Sequence, residues 1–257
     1  MIAHNNHHNI QLLALSNIPL IMPGDDLASI LVTAMQDHGP AWQDKDILVV
    51  AQKIVSKAEG RYVKLDRVQP SAEARRLAQV CLKDPRLVEL ILRESLYVVR
   101  AVPHVLIVRH RLGHVSANAA IDHSNIDDGH QQVLLLPEDP DASAHALRES
   151  IKQQTGLTLG VVINDSFGRP WRMGTCGVCI GSSGIVTLKD FRGAQDLSGQ
   201  SLEVTEVAWG DELAAAASLL MGAANEARPA VIVRGLSITG SGDSSDLIRP
   251  LAKDLFS

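Results

Sequence analysis

The feature that most constrains this chain is a set of short apolar runs rich in valine and isoleucine. They lie at Ile47–Val50, Val98–Val102, Val105–Arg109, Val133–Leu136, Leu159–Ile163 and Ala230–Arg234. A half-exposed strand alternates apolar and polar residues, whereas many of these runs are apolar throughout. That pattern predicts strands of a sheet covered on both faces. Helical patterns lie between them. Ser71–Leu82 follows Pro70, with Ser71 placed to cap it and Glu73 in its first turn. Pro85–Ser95 puts Leu87, Leu90 and Ile91 on one face behind a proline at a first-turn position. Asp141–Thr155 starts with an acidic cap and stops before Gly156. Asp211–Met221, rich in Ala and Leu, stops at Gly222 and is expected to be deeply buried. Strands and helices do not alternate regularly, so the expected class is α+β with mixed sheets, not a doubly wound parallel sheet.

With 257 residues, 46% of them hydrophobic, the chain can bury one large core or two small ones. Its net charge of −5 and 3% aromatic content argue against a nucleic-acid binder. No apolar run reaches the ~18 residues of a membrane span, so no membrane partner is expected. The N-terminal Met-Ile-Ala-His-Asn-Asn-His-His-Asn lacks the basic and apolar regions of a signal peptide. Three cysteines in a chain this long do not form a disulfide framework, and the cytoplasm is the expected compartment. Cys176-Gly-Val-Cys179 matches a C-x-x-C pattern but has no second half, and its small neighbours suit a strand packed close to something else.

Chemistry concentrates elsewhere. In Val161-Val-Ile-Asn-Asp-Ser-Phe-Gly-Arg-Pro-Trp-Arg-Met-Gly174 an apolar run ends at Asp165, expected where a strand gives way to a loop. Ser166, Arg169 and Arg172 follow. This set suits a metal ion with a phosphorylated ligand, and equally a salt-bridged loop. Asp122 lies in Ser116-Ala-Asn-Ala-Ala-Ile-Asp-His-Ser-Asn125, where small residues permit close approach. Asp122 and Asp165 together would give two carboxylates for a hard divalent cation, although each alone is commonly a turn former. Lys53, Lys57 and Arg61 recur every four residues after the Ile47–Val50 run, either as a solvated basic face or as phosphate contacts beside Ser56 and Gly60. In Gly24-Asp-Asp-Leu27 an aspartate caps a helix, and the preceding Ile18-Pro19-Leu20-Ile21 could line a planar ring. The turn Met221 to Pro229 could let a nucleotide approach the backbone, or simply connect a helix to a strand. His104, His110 and His114 are expected to be structural or exposed.

Taken in order, these stretches resemble the γ-glutamyl ligases of the deazaflavin coenzyme F420, from about Ile18 to Leu236. Residues 1–17 then read as an N-terminal extension, 18–236 as the ligase domain and 237–257 as a C-terminal tail. The resemblance implies an unusual α+β fold and an intertwined homodimer. It implies a GTP-dependent amide ligase that joins L-glutamate to the deazaflavin precursor F420-0, through an acyl phosphate, with Mg²⁺ or Mn²⁺ and help from K⁺. It carries metal binding to Asp122, Asp165 and Ser166. Catalytic roles fall to Lys57, Asp122 and Asp165. GTP contacts fall to Ile18, Pro19, Leu20, Ile21, Gln52, Lys53, Lys57, Asn125, Met221, Gly222, Ala223, Ala224, Asn225, Glu226, Ala227 and Arg228. One position departs: the family usually has Glu or Gln where Ala223 stands, which leaves a second metal site weaker, with Glu226 as a possible substitute ligand.

Overall fold

The computed structural model describes residues 9–38, 41–122 and 131–254. Its strands are β1 (Gln11–Ala14), β2 (Ile47–Ala51), β3 (Tyr62–Lys64), β4 (Ser95–Val102), β5 (Val105–His110), β6 (Val115–Ala117), β7 (Gln132–Leu134), β8 (Gly160–Arg169), β9 (Arg172–Ser183), β10 (Lys189–Asp190), β11 (Glu206–Val207) and β12 (Ala230–Arg234). Its helices are α1 (Leu27–His38), α2 (Gln52–Ala58), α3 (Ala72–Cys81), α4 (Pro85–Arg93), α5 (Pro140–Thr155) and α6 (Trp209–Met221). The mixture of sheets and helices agrees with the α+β expectation.

The central sheet runs β1-β12-β2-β8-β9. Only β2 and β8 are parallel; the other neighbours are antiparallel. Alternate residues of the apolar runs face opposite layers, as the pleat requires. Leu48, Val50, Val161, Ile163 and Ile232 join α1 and α5 in one core. Ile47, Val49, Val162, Val231 and Val233 join α6 in another. A third core joins α3 and α4 to the β4-β5-β6 sheet and to β7. Asp46 is buried beneath the central sheet and takes a bidentate pair from Arg234, 2.7 Å at both oxygens. No helix among the described residues is long and apolar enough to cross a membrane.

Several local expectations hold. Ser71 accepts from Ala74 N–H and caps α3, and Asp26 accepts from the Ser29 N–H at the start of α1. Gly156 closes α5 with a φ of 75°. The small residues around the cysteines are required by packing: a Cβ on Gly177 or Gly181 would lie 2.4 Å from the carbonyl oxygen of Ala214 or Pro140. Cys81, Cys176 and Cys179 are all free thiols, and burial raises that of Cys179.

Others are corrected. Asp165 does not stand in a loop: β8 continues to Arg169, because β9 pairs with it as far as Arg172. Asp139, not Asp141, caps α5, and Asp141 instead accepts from Ser182 and Ser244. Helix α6 buries one face only; Leu213, Ala214 and Ala217 are covered while Leu219 is exposed. Arg61 lies beyond α2, past Gly60, and donates to the Leu136 carbonyl, so it shares no helix face with Lys53 and Lys57.

Candidate functional site at the end of the parallel strand pair

Five distant segments meet at one end of the central sheet. The chain leaves β1 at Leu15, whose N–H donates to Ala230 at the start of β12. Ala230 lies opposite Val50, and the N–H of Ala51 donates to Pro229. Ala51 lies beside Asn164, which lies opposite Cys179. Ile18–Ile21, the start of α2, the middle of β8 and the turn before β12 therefore open on the same edge. This is the carboxyl end of the parallel pair, where β2 turns away into α2 and leaves the rest of β8 without a neighbour on that side. Crevices at such ends are the usual ligand sites of sheets with parallel strands.

Asp165 is the first residue of β8 beyond that junction, and it is half-buried. Its Oδ1 accepts from the Ser166 N–H at 2.8 Å. Burial pushes its carboxyl up to about 7; the Ser166 N–H opposes this, the Asp122 charge adds to it, and Lys53 opposes it. Lys53, in the first turn of α2, places Nζ 2.5 Å from Asp122 Oδ2. Asp122, Lys53 and Asp165 therefore form one electrostatic cluster. Ser166 is exposed beside it.

Asp122 reaches the cluster from the third core. Its backbone bridges to Leu134 in both directions. Just before it, Asn118, Ala119 and Ala120 all take left-handed φ values of 53–55°. Two of these are alanines, for which the conformation costs about 1 kcal/mol each. Such strain is kept where the surroundings over-determine it, and here Ala119 and Ile121 are anchored in the third core. The anchored turn fixes where Asp122 emerges.

The remaining expected residues divide as follows. Ile21 is buried, Ile18 half-buried, and Pro19 and Leu20 are exposed, giving an extended apolar lip. Gln52 is buried and accepts from Ser56 Oγ at 2.9 Å. Lys57 stands one helical turn beyond Lys53 and is half-buried. Met221 is buried beneath Asn164, whose Nδ2 donates to its sulfur and to Ser218. Gly222, Ala223, Ala224, Asn225, Glu226, Ala227 and Arg228 are exposed. The Glu226 carboxylate folds back over Gly222 to accept from Ala224 N–H at 2.8 Å, which lowers its pKa. Asn125 lies outside the described residues.

Asn164 and the Lys53–Asp122 pair were not marked by sequence reasoning. Asn164 looked like the end of an apolar run, and nothing local joins position 53 to position 122. The three histidines are structural or exposed, as expected: His104 is exposed, His110 is buried and stacks on His114 at 4.9 Å, and His114 packs on Phe167. Burial, with His110 alongside, holds the His114 imidazole down at about 3.

The donors suit a hard divalent cation. Two carboxylates lie within electrostatic reach of each other and of Lys53, and burial chiefly raises that of Asp165. The set is sparse, since among the described residues no three His, Cys, Asp or Glu side chains converge on one point. Additional oxygens would come from Ser166 and from a bound ligand.

The family model described as F420-0:Gamma-glutamyl ligase matches residues 16–235. Among curated relatives, the coenzyme F420:L-glutamate ligase of Methanothermobacter thermautotrophicus is 44% identical over 96% of this chain and 98% of its own. The enzyme of that name from Methanopyrus kandleri is 44% identical over 95% and 97%, and that from Archaeoglobus fulgidus 40% over 96% of each.

Proposed function

Because the chain belongs to the F420-0:γ-glutamyl ligase family, we propose that it joins L-glutamate to the deazaflavin precursor F420-0 through an amide bond. GTP drives the reaction. A carboxylate oxygen of the acceptor attacks the γ-phosphorus and GDP departs, leaving an acyl phosphate. The α-amine of glutamate then attacks the acyl carbon, loses a proton and expels phosphate. The observation that carries this reading is the meeting of Asp122, Lys53 and Asp165 at the open end of β2 and β8.

Each part of the crevice suits one demand of that chemistry. The apolar lip Ile18–Ile21 offers a surface for a planar base or ring. Lys53 and Lys57 supply positive charge for phosphates. Asp122 and Asp165, with Ser166, would hold Mg²⁺ or Mn²⁺, which when bound neutralises phosphate charge and steadies the charge that develops during transfer. The exposed Gly222–Arg228 turn brings backbone groups to the same edge. K⁺ is assigned no residue.

Ala223 has no metal-binding side chain, and Glu226 already satisfies a backbone N–H of its own turn. We therefore assign one strong metal site and a weaker second one. The proposed assembly is a homodimer in the cytoplasm. Exposed Leu96, Tyr97 and Val99 on β4, an edge strand, support the self-association.

The test is incubation with GTP, Mn²⁺, L-glutamate and F420-0, followed by mass spectrometry. Glutamyl mass increments are expected. GDP release without them would move the reading to another acceptor, and binding without turnover to a catalytically silent nucleotide-binding dimer.

A further inference from the structure

We propose that Lys53 is an exchangeable counter-ion: its ammonium occupies the carboxylate of Asp122 until a divalent cation displaces it, and it then turns to the phosphates that arrive with the cation. This rests on the metal and phosphate reading of the crevice given above and goes beyond it.

Three observations carry the inference. Lys53 Nζ lies 2.5 Å from Asp122 Oδ2, a contact on one of the oxygens a cation would use. Lys53 stands in the first turn of α2, the helix that also carries Lys57, so its side chain pivots from a fixed base at the mouth of the crevice. Asp122 is held by its backbone bridge and by the left-handed turn before it, and neither depends on Lys53. The lysine is therefore not needed to place the Asp122 backbone. A divalent cation at Asp122 would bring two positive charges within a few ångströms of a third, a repulsion of several kcal/mol even in a partly solvated crevice. Phosphate oxygens beside the cation offer the displaced ammonium a new partner.

Two readings of Lys53 predict opposite results. If it is a strut that orients Asp122, its loss weakens metal binding. If it is a counter-ion in competition with the metal, its loss strengthens binding when nucleotide is absent.

The experiment is a titration of the full chain with Mn²⁺ alone, with free Mn²⁺ read by electron paramagnetic resonance. Lys53→Met should bind Mn²⁺ about ten-fold more tightly than the unaltered protein. Its melting temperature, read in parallel, should confirm a folded protein. Lys53→Gln, closer in polarity, should show the same direction. Unchanged or weaker Mn²⁺ binding by both variants would overturn the proposal. Asp122→Asn serves as the control on the underlying reading and should lose most Mn²⁺ affinity. Wild-type binding by that variant would remove the metal site itself, and the role of Lys53 with it.

Discussion

Asp165→Asn should make the metal-free protein more stable at alkaline pH while abolishing its activity. The fold holds the Asp165 carboxyl at about 7, against an ordinary value near 3.8. As pH rises, the unfolded chain releases this proton first. Between those two values the native state binds more protons, so stability falls with pH. The contribution is fully present below about 3.8 and is lost as pH rises through about 7. The whole interval sets a ceiling of about 4 kcal/mol. Asp165 is half-buried, so water screens part of this, and we expect about 2 kcal/mol. Asparagine carries no charge at any of these pH values and escapes the loss. The assay is urea denaturation in chelator at pH 5 and pH 8.5. The variant should be ahead by about 0.7 kcal/mol at pH 5, where roughly a third of the interval has been crossed, and by about 2 kcal/mol at pH 8.5. A variant that shares the wild-type pH dependence, or is the less stable at pH 8.5, would refute the argument that Asp165 is a strained, under-compensated charge. The usual expectation for a site residue is that function costs stability, and here the cost has a named atom.

Other outcomes follow from the same geometry. Arg234→Met leaves Asp46 buried and unpaired, and should lower unfolding free energy by about 3–5 kcal/mol, read from the denaturation midpoint at constant slope. His114 has its folded value below its unfolded one, so its contribution is complete above about 6.5 and is lost as pH falls toward 3. His114→Gln should flatten the acid limb of the stability profile by about 1–2 kcal/mol, and an unchanged limb would show that His114 does not govern it. Ala120→Gly relieves a left-handed alanine and should raise stability by about 1 kcal/mol, read as a small upward shift in melting temperature.

The sequence was most informative where one residue's surroundings repeat along the chain. The apolar runs gave strands because both faces of the central sheet are covered, and Ala230–Arg234 was placed at its observed ends. Caps followed where one hydroxyl or carboxylate faces a helix start, as at Ser71 and Asp26. The extent of β8 was hidden because its polar second half is held by β9, whose glycines and cysteines carry little strand signal of their own. Asp139 and Asp141 compete for one cap, and only the docking of Ser182 and Ser244 decides between them. The left-handed turn was invisible because alanine stands where glycine would announce a positive φ. The candidate site was legible as a set of segments. Its central ion pair was not, because Lys53 and Asp122 are joined only through the packing of two cores.

The parallel junction of β2 with β8 has a consequence for how the protein is made. Leu48 lies beside Val161, and the chain between them must be synthesised and folded back before the two strands can meet. The lysines emerge from the ribosome early and the second carboxylate late. A prematurely terminated chain that stops before β8 therefore carries the basic half of the crevice without Asp165. Such a fragment also lacks β8 and β12, the two strands that flank β2, so neither the sheet edge nor the paired carboxylates proposed to hold the metal are formed. Activity is then expected to be an all-or-none property of the finished chain, and partial translation products should not consume GTP.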